Sequence, residues 1–81
     1  MEREELEKIL KDKNSEKVVK VLRFCKDGKQ YKEIMDSKKG VGLRSQEAFK
    51  IILKLKEVKA LDFADGKYTS AKEAIELAEK Q

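Results

Sequence analysis

The chain contains no histidine and no proline, a single cysteine and four glycines. Each scarcity excludes something. Without histidine, and with Cys25 alone, no zinc ligand set can be assembled. One cysteine rules out an intrachain disulfide framework and fits a reducing compartment. Cys25 falls on the apolar face of an expected helix, where this residue behaves as a small buried hydrophobe. With proline missing, glycine is left to punctuate, and Gly28, Gly40, Gly42 and Gly66 all read as breaks between elements. No apolar run approaches the roughly 18 residues of a membrane span, and no secretory hydrophobic region opens the chain. A cytoplasmic protein without membrane contact is therefore expected. No nucleophile has an evident partner base, and Glu33 with Asp36, three residues apart, reads as a solvated helix face. Catalysis is not expected, nor is any metal or cofactor.

What is present is charge. Of 81 residues, 44% are charged and 40% hydrophobic, with a net charge of +4. One domain covering residues 1–81 is expected, and a domain of this size buries only about 60–65% of its unfolded surface. The charge is uneven. Residues 1–17 hold five basic and six acidic side chains, residues 18–59 twelve and five, and residues 60–81 three and five. The middle block thus carries +7 between ends of −1 and −2. Such a block points to an anionic partner, with a lysine-rich solubilising surface as the plainer account. The lysine-rich, proline-free composition would suit an archaeal or viral source.

The periodicity predicts helix, helix, helix, helix, hairpin, helix. "EREELEKILKDK" sets Leu6, Ile9 and Leu10 on one side, with acids in its first turn complementing the helix dipole. Asn14 or Ser15 can cap "SEKVVKVLRFCKDG", whose stripe is Val18, Leu22 and Cys25, widened by Val19 and Val21. Gly28 supplies the left-handed stop after it. "KQYKEIMDSKK" reads as an extended start at Gln30-Tyr31 and a third helix presenting Ile34 and Met35, broken by "GVG". In the fourth helix, which Ser45 is expected to cap, Ala48, Ile52 and Leu55 fall within about 60° of one another, with Ile51 and Val58 flanking. Gln46, Lys50 and Glu57 lie opposite, and Lys54 at the margin. Asp65-Gly66 is a strong signal for a two-residue hairpin flanked by Leu61, Phe63 and Tyr68. Ser70 to Glu73 match the S-x-x-E capping box of a last helix, whose apolar side is Ala71, Ala74, Ile75 and Ala78.

Over residues 15–70 this order resembles the winged helix-turn-helix DNA-binding domains, in particular small prokaryotic and archaeal transcription regulators. The resemblance rests on "VVKVLRFCKDG" as first helix, "YKEIMDS" as second, and "GLRSQEAFKIILKLKEVKALDFADGKYTS" as recognition helix and wing. It implies a mainly α fold with a small β-hairpin wing, residues 15–70 forming the core and residues 1–13 and 71–81 adding terminal helices. It further implies double-stranded DNA as partner and transcriptional regulation as role, with a recognition helix at about residues 45–58 in the major groove and a wing at about 60–70 on the backbone. By position the base-facing residues would be Arg44, Ser45, Gln46 and Glu47, then Phe49 and Lys50 one turn on. Gln46 can pair bidentately with adenine, and Arg44 or Lys50 can reach guanine or phosphate. Lys54 and the wing residue Lys67 suit phosphate contacts, as do Lys38 and Lys39 in the connection before the recognition helix.

The chain departs from the family pattern in three places. The connection "DSKKGVGLR" is about three residues longer than the family's tight turn, leaving either a longer second helix or an inserted loop. Lys59 stands where the family often has glycine and has to accept a less favourable backbone conformation. Phe49 and Leu53 form an apolar pair away from the Ala48 stripe. The expectation is that a neighbouring helix covers them, a burial worth roughly 3–6 kcal/mol; a thymine-methyl contact and a protein-binding patch are the alternatives. The terminal helices could pack on the core or meet a second subunit, and a homodimer through them is expected, because two half-sites favour a two-fold reader. The rival function is a winged-helix protein–protein interaction module without direct DNA binding.

Overall fold

A computed structural model describes residues 2–13 and 15–80. Among them run α1 (Arg3–Lys11), α2 (Ser15–Phe24), α3 (Tyr31–Ile34), α4 (Ser45–Glu57), β1 (Leu61–Ala64), β2 (Lys67–Ser70) and α5 (Lys72–Glu79). The protein is mainly helical with one small antiparallel hairpin. Asn14, one of the two expected caps of α2, lies outside the described residues.

The middle of the molecule is α2, which packs against α1, α4 and α5. Its Val21 and Leu22, with Cys25 just beyond its end, are wholly excluded from solvent. From α4 come Ala48, Ile52 and Leu55, the stripe its spacing predicts, with Val58 buried beside them. From the ends come Leu6 and Leu10 of α1 and Ala74, Ile75, Leu77 and Ala78 of α5. Most of the two faces expected to meet a second subunit is thus covered within one chain, with Ile9 and Ala71 half-buried. No helix among the described residues is long and apolar enough to cross a membrane.

The hairpin follows the chemistry of its turn. Asp65 and Gly66 take φ of 54° and 75°, so both central residues are left-handed as a type I′ turn requires. Ala64 then pairs with Lys67, Phe63 with Tyr68 and Leu61 with Ser70. Lys29 adds a third, one-residue rung: its N–H donates to Tyr68 O at 2.9 Å, and the Tyr68 N–H donates back at 2.7 Å. Lys59 adopts the positive φ, 62°, expected of the residue that replaces glycine there.

Three local expectations need correction. Ser45 is not the cap of α4. Arg44 occupies that position in extended conformation, its carbonyl accepts from the Ala48 N–H at 2.9 Å, and no side chain caps the helix. Ser70 does not cap α5 either. Ala71 holds the cap position, while the Ser70 hydroxyl donates to Leu22 O at 2.6 Å, pinning β2 to the end of α2. The third helix stops at Ile34, because the Asp36 carboxylate captures the N–H groups of Lys38 and Lys39 at 2.8 and 2.9 Å. Asp-to-backbone bonds of this kind offer the chain an alternative to helix. Gly40 folds back beneath them, its N–H donating to Asp36 O at 3.0 Å. The long connection is thus a compact inserted loop.

Candidate nucleic-acid interface

With Ala48, Ile52 and Leu55 facing inward, the 100° step of the helix dictates what α4 turns outward. Gln46 and Lys50 lie on the side opposite the core and are both exposed, as is Arg44 at the cap. Ser45 is exposed with its hydroxyl free of any capping role. Gln46 and Lys50 share this outward surface, and Arg44 and Ser45 are exposed at the N-terminal end of the helix.

Other expected contacts are dispersed. Glu47 is half-buried and bonded to Lys17 of α2, Nζ to Oε2, at 2.6 Å. That bond and the charge of Lys17 hold its carboxyl below the usual carboxylate range. Glu47 is therefore engaged with α2 rather than free to accept from a base. Lys54 is exposed but sits at the edge of α4 next to Ile9 and Val18, toward α1 and α2. Lys38 and Lys39 are exposed in the loop after α3, with their backbone N–H groups spent on Asp36. Lys67 is exposed, but strand alternation sets it on the ribbon face opposite Phe63 and Tyr68, alongside Gly28.

Phe49 and Leu53 overturn the expectation of a covering helix. They are 45% and 50% exposed, because α1, α2 and α5 are all committed to the other side of α4 or of α2. Phe49 instead stands edge-on to Tyr31 of α3, centroids 6.3 Å apart. Tyr31 in turn meets Tyr68 at 6.5 Å, and Tyr68 meets Phe63 at 4.7 Å. Lys56 of α4 extends over the Phe63 and Tyr68 rings, its Nζ 5.5 and 5.9 Å from their centroids. Tyr31, Phe63, Tyr68 and Lys56 were not among the expected site residues. Two signals could have found them. Phe49, Leu53 and Lys56 lie on one stripe of a helix (i, i+4, i+7), and a two-residue Asp-Gly turn necessarily sets Phe63 across from Tyr68.

Among the described residues no three metal-ligating side chains cluster. The Cys25 thiol is wholly buried, and burial pushes its pKa up to about 11. What the surface offers is cations, an exposed amide and rings. No family model, curated protein or solved structure matches the chain.

Proposed function

We propose that the chain is a winged helix-turn-helix domain that binds double-stranded DNA and acts as a transcriptional regulator. In this reading α2, α3 and α4 form the three-helix unit, and the β1–β2 ribbon is the wing. The observation that carries it is the outward surface of α4, where Gln46 and Lys50 stand exposed on a helix anchored by its opposite face, with Arg44 exposed at its N-terminal end. The Lys29–Tyr68 bridge ties the segment between the first and second helices of the unit to the hairpin. Gln46 would read a base, Arg44 and Lys50 would reach guanine or phosphate, and Lys38, Lys39, Lys54 and Lys67 would contribute backbone charge.

Salt dependence tests this directly. With about four phosphate contacts per chain, log K against log salt should slope near −3.6 for a monomer and near −7 for a dimer. A slope near zero rejects the mechanism. Lys54→Ala should weaken every sequence alike, whereas Gln46→Ala should relax preference at one base position. The same two effects from both variants would refute the division of labour. A homodimer, if it forms on a two-fold operator, would use a surface other than the buried faces of α1 and α5.

The exposed Phe49, Leu53, Tyr31 and Phe63 favour a second reading, a winged-helix module that binds a protein instead of DNA. A gel shift against random duplex at low salt separates the two. Failure to shift, despite the basic middle of the chain, selects the protein partner.

A further inference from the structure

The aromatic residues of this protein are distributed in an unusual way. There are five, three phenylalanines and two tyrosines. None belongs to the buried core, which is built from aliphatic residues and Cys25. Four of them, Phe49, Tyr31, Tyr68 and Phe63, form one chain of ring contacts across α4, α3 and the hairpin. Three of those four are between 41% and 49% exposed. Duplex recognition leaves the faces of such rings unstacked, because paired bases are stacked on one another and offer only their edges to a groove.

We infer that this ring surface is a stacking platform for the unpaired bases of single-stranded DNA. The inference rests on the reading above that the α4–hairpin surface is the nucleic-acid face, and it adds a ligand which that reading does not require. Every base has a π-face, so a run of exposed rings accepts successive bases without demanding a sequence. The cations supply the other half of the ligand. Lys56 lies over two of the rings, and the exposed Lys50 follows Phe49 on α4. Interleaved rings and point charges match a strand that alternates bases with phosphates.

Two other occupants fit less well. The centres of protein interfaces are depleted of lysine, whereas here Lys56 stands among the rings. A second copy covering the rings would desolvate Lys56 along with them without bringing an anion to it from the ring surface, which holds no carboxylate among its four rings. A single strand instead brings anions to those lysines.

The experiment compares a labelled oligo-dT with a mixed-sequence duplex of equal length, by fluorescence anisotropy at low salt. Phe49→Ala and Phe63→Ala should each weaken oligo-dT about tenfold, and Phe63→Ala should leave duplex binding unchanged. Phe63→Leu and Phe49→Leu keep apolar bulk and remove the π-face, so they should lose the same affinity if stacking is the cause. Circular dichroism should find all four variants folded, since both side chains are about half exposed. With no tryptophan in the chain, intrinsic emission reports the tyrosines, and oligo-dT should quench it whereas heparin, a polyanion without bases, should not.

Duplex binding without oligo-dT binding overturns this inference and leaves the proposed function standing. Oligo-dT binding without duplex binding does the reverse. Oligo-dT affinity indifferent to ring loss, or Leu variants that bind like wild type, also overturn it. A sedimenting dimer that Phe63→Ala dissociates would give the surface to a second copy, and failure to bind either DNA would leave it to a protein; both refute the platform.

Discussion

Ser70 gives the sharpest test of the fold, because sequence and structure assign its hydroxyl to different partners. In the structure Ser70 is 8% exposed and donates to Leu22 O at 2.6 Å. Leu22 lies in the last turn of α2, where carbonyls run out of intrahelical donors, and its side chain is wholly buried. Ser70→Ala removes the donor without making room for water. The neighbouring backbone bond from the Ser70 N–H to Cys25 O, 3.0 Å, keeps β2 in place over the stranded carbonyl. Leaving a buried acceptor unsatisfied costs about 1–3 kcal/mol. For a domain of this size about 2 kcal/mol lowers Tm by roughly 8–16 °C. Ser70→Asp separates the two assignments. As a helix cap, aspartate equals serine and the variant should melt like wild type. Facing Leu22 O, an ionised carboxylate can only accept, so two acceptors are pressed together and the loss should exceed that of alanine. Thermal melts by circular dichroism decide it. An Asp variant as stable as wild type, with an Ala variant that loses little, would refute the tie to α2.

Other consequences are simpler to state. Lys59→Gly should raise stability, by up to about 1 kcal/mol in a urea melt, because Lys59 sits at φ 62° where glycine is unstrained. Gly40→Ala should destabilise strongly, since an added methyl would press on the carbonyl oxygens of Ile34 and Asp36, both backbone atoms. Backbone bonds from Lys39 and Lys38 hold the Asp36 carboxyl below its ordinary value. Its contribution to stability is therefore present above the unfolded-state pKa of about 3.9 and lost as pH falls through the lower folded value. Asp36→Ala should flatten the acid limb of the stability profile. Cys25, raised to about 11 by burial, should react with a thiol reagent at pH near 8 only as fast as the protein opens; rapid labelling of the native protein would contradict that burial.

The parts that could be read from sequence are those where one residue's own conformational demand, or a repeated spacing, decides the outcome. Asp65-Gly66 requires two left-handed residues, and the hairpin forms where it says. Ala48, Ile52 and Leu55 recur at the helix period, and they are buried. Lys59, expected to accept a less favourable backbone conformation, adopts a φ of 62°. The failures share a different cause. Ser70 and Glu73 satisfy a local capping pattern, yet the hydroxyl is claimed by Leu22, 48 residues away. Asp36 ends α3 early through a side chain that competes for backbone donors, a choice invisible to apolar periodicity. Phe49 and Leu53 were expected to be covered because their burial is favourable. Covering them needs a spare helix, and the fold has already committed α1, α2 and α5 elsewhere. The candidate site divides along the same line. Outward Gln46 and Lys50 follow from one helix, whereas the ring chain depends on three elements meeting.

That commitment of the terminal helices explains why the rings can stay outside. Leu6, Leu10, Ile75 and Leu77 are each at most 7% exposed. Burying four such side chains is worth about 6–12 kcal/mol before the entropy of ordering them. The net stability of a chain this long is of similar size, about 4–12 kcal/mol. The ends are therefore part of the fold and not appendages waiting for a second subunit. They also roof α2 with aliphatic volume, so no phenylalanine is needed inside. A chain short of apolar residues gains by sinking its largest ones, and this one instead holds Phe49 and Phe63 about half exposed beside lysines. Folding stability alone does not account for that arrangement. The proposed single-stranded ligand, with flat bases and negative phosphates, would give the arrangement its use.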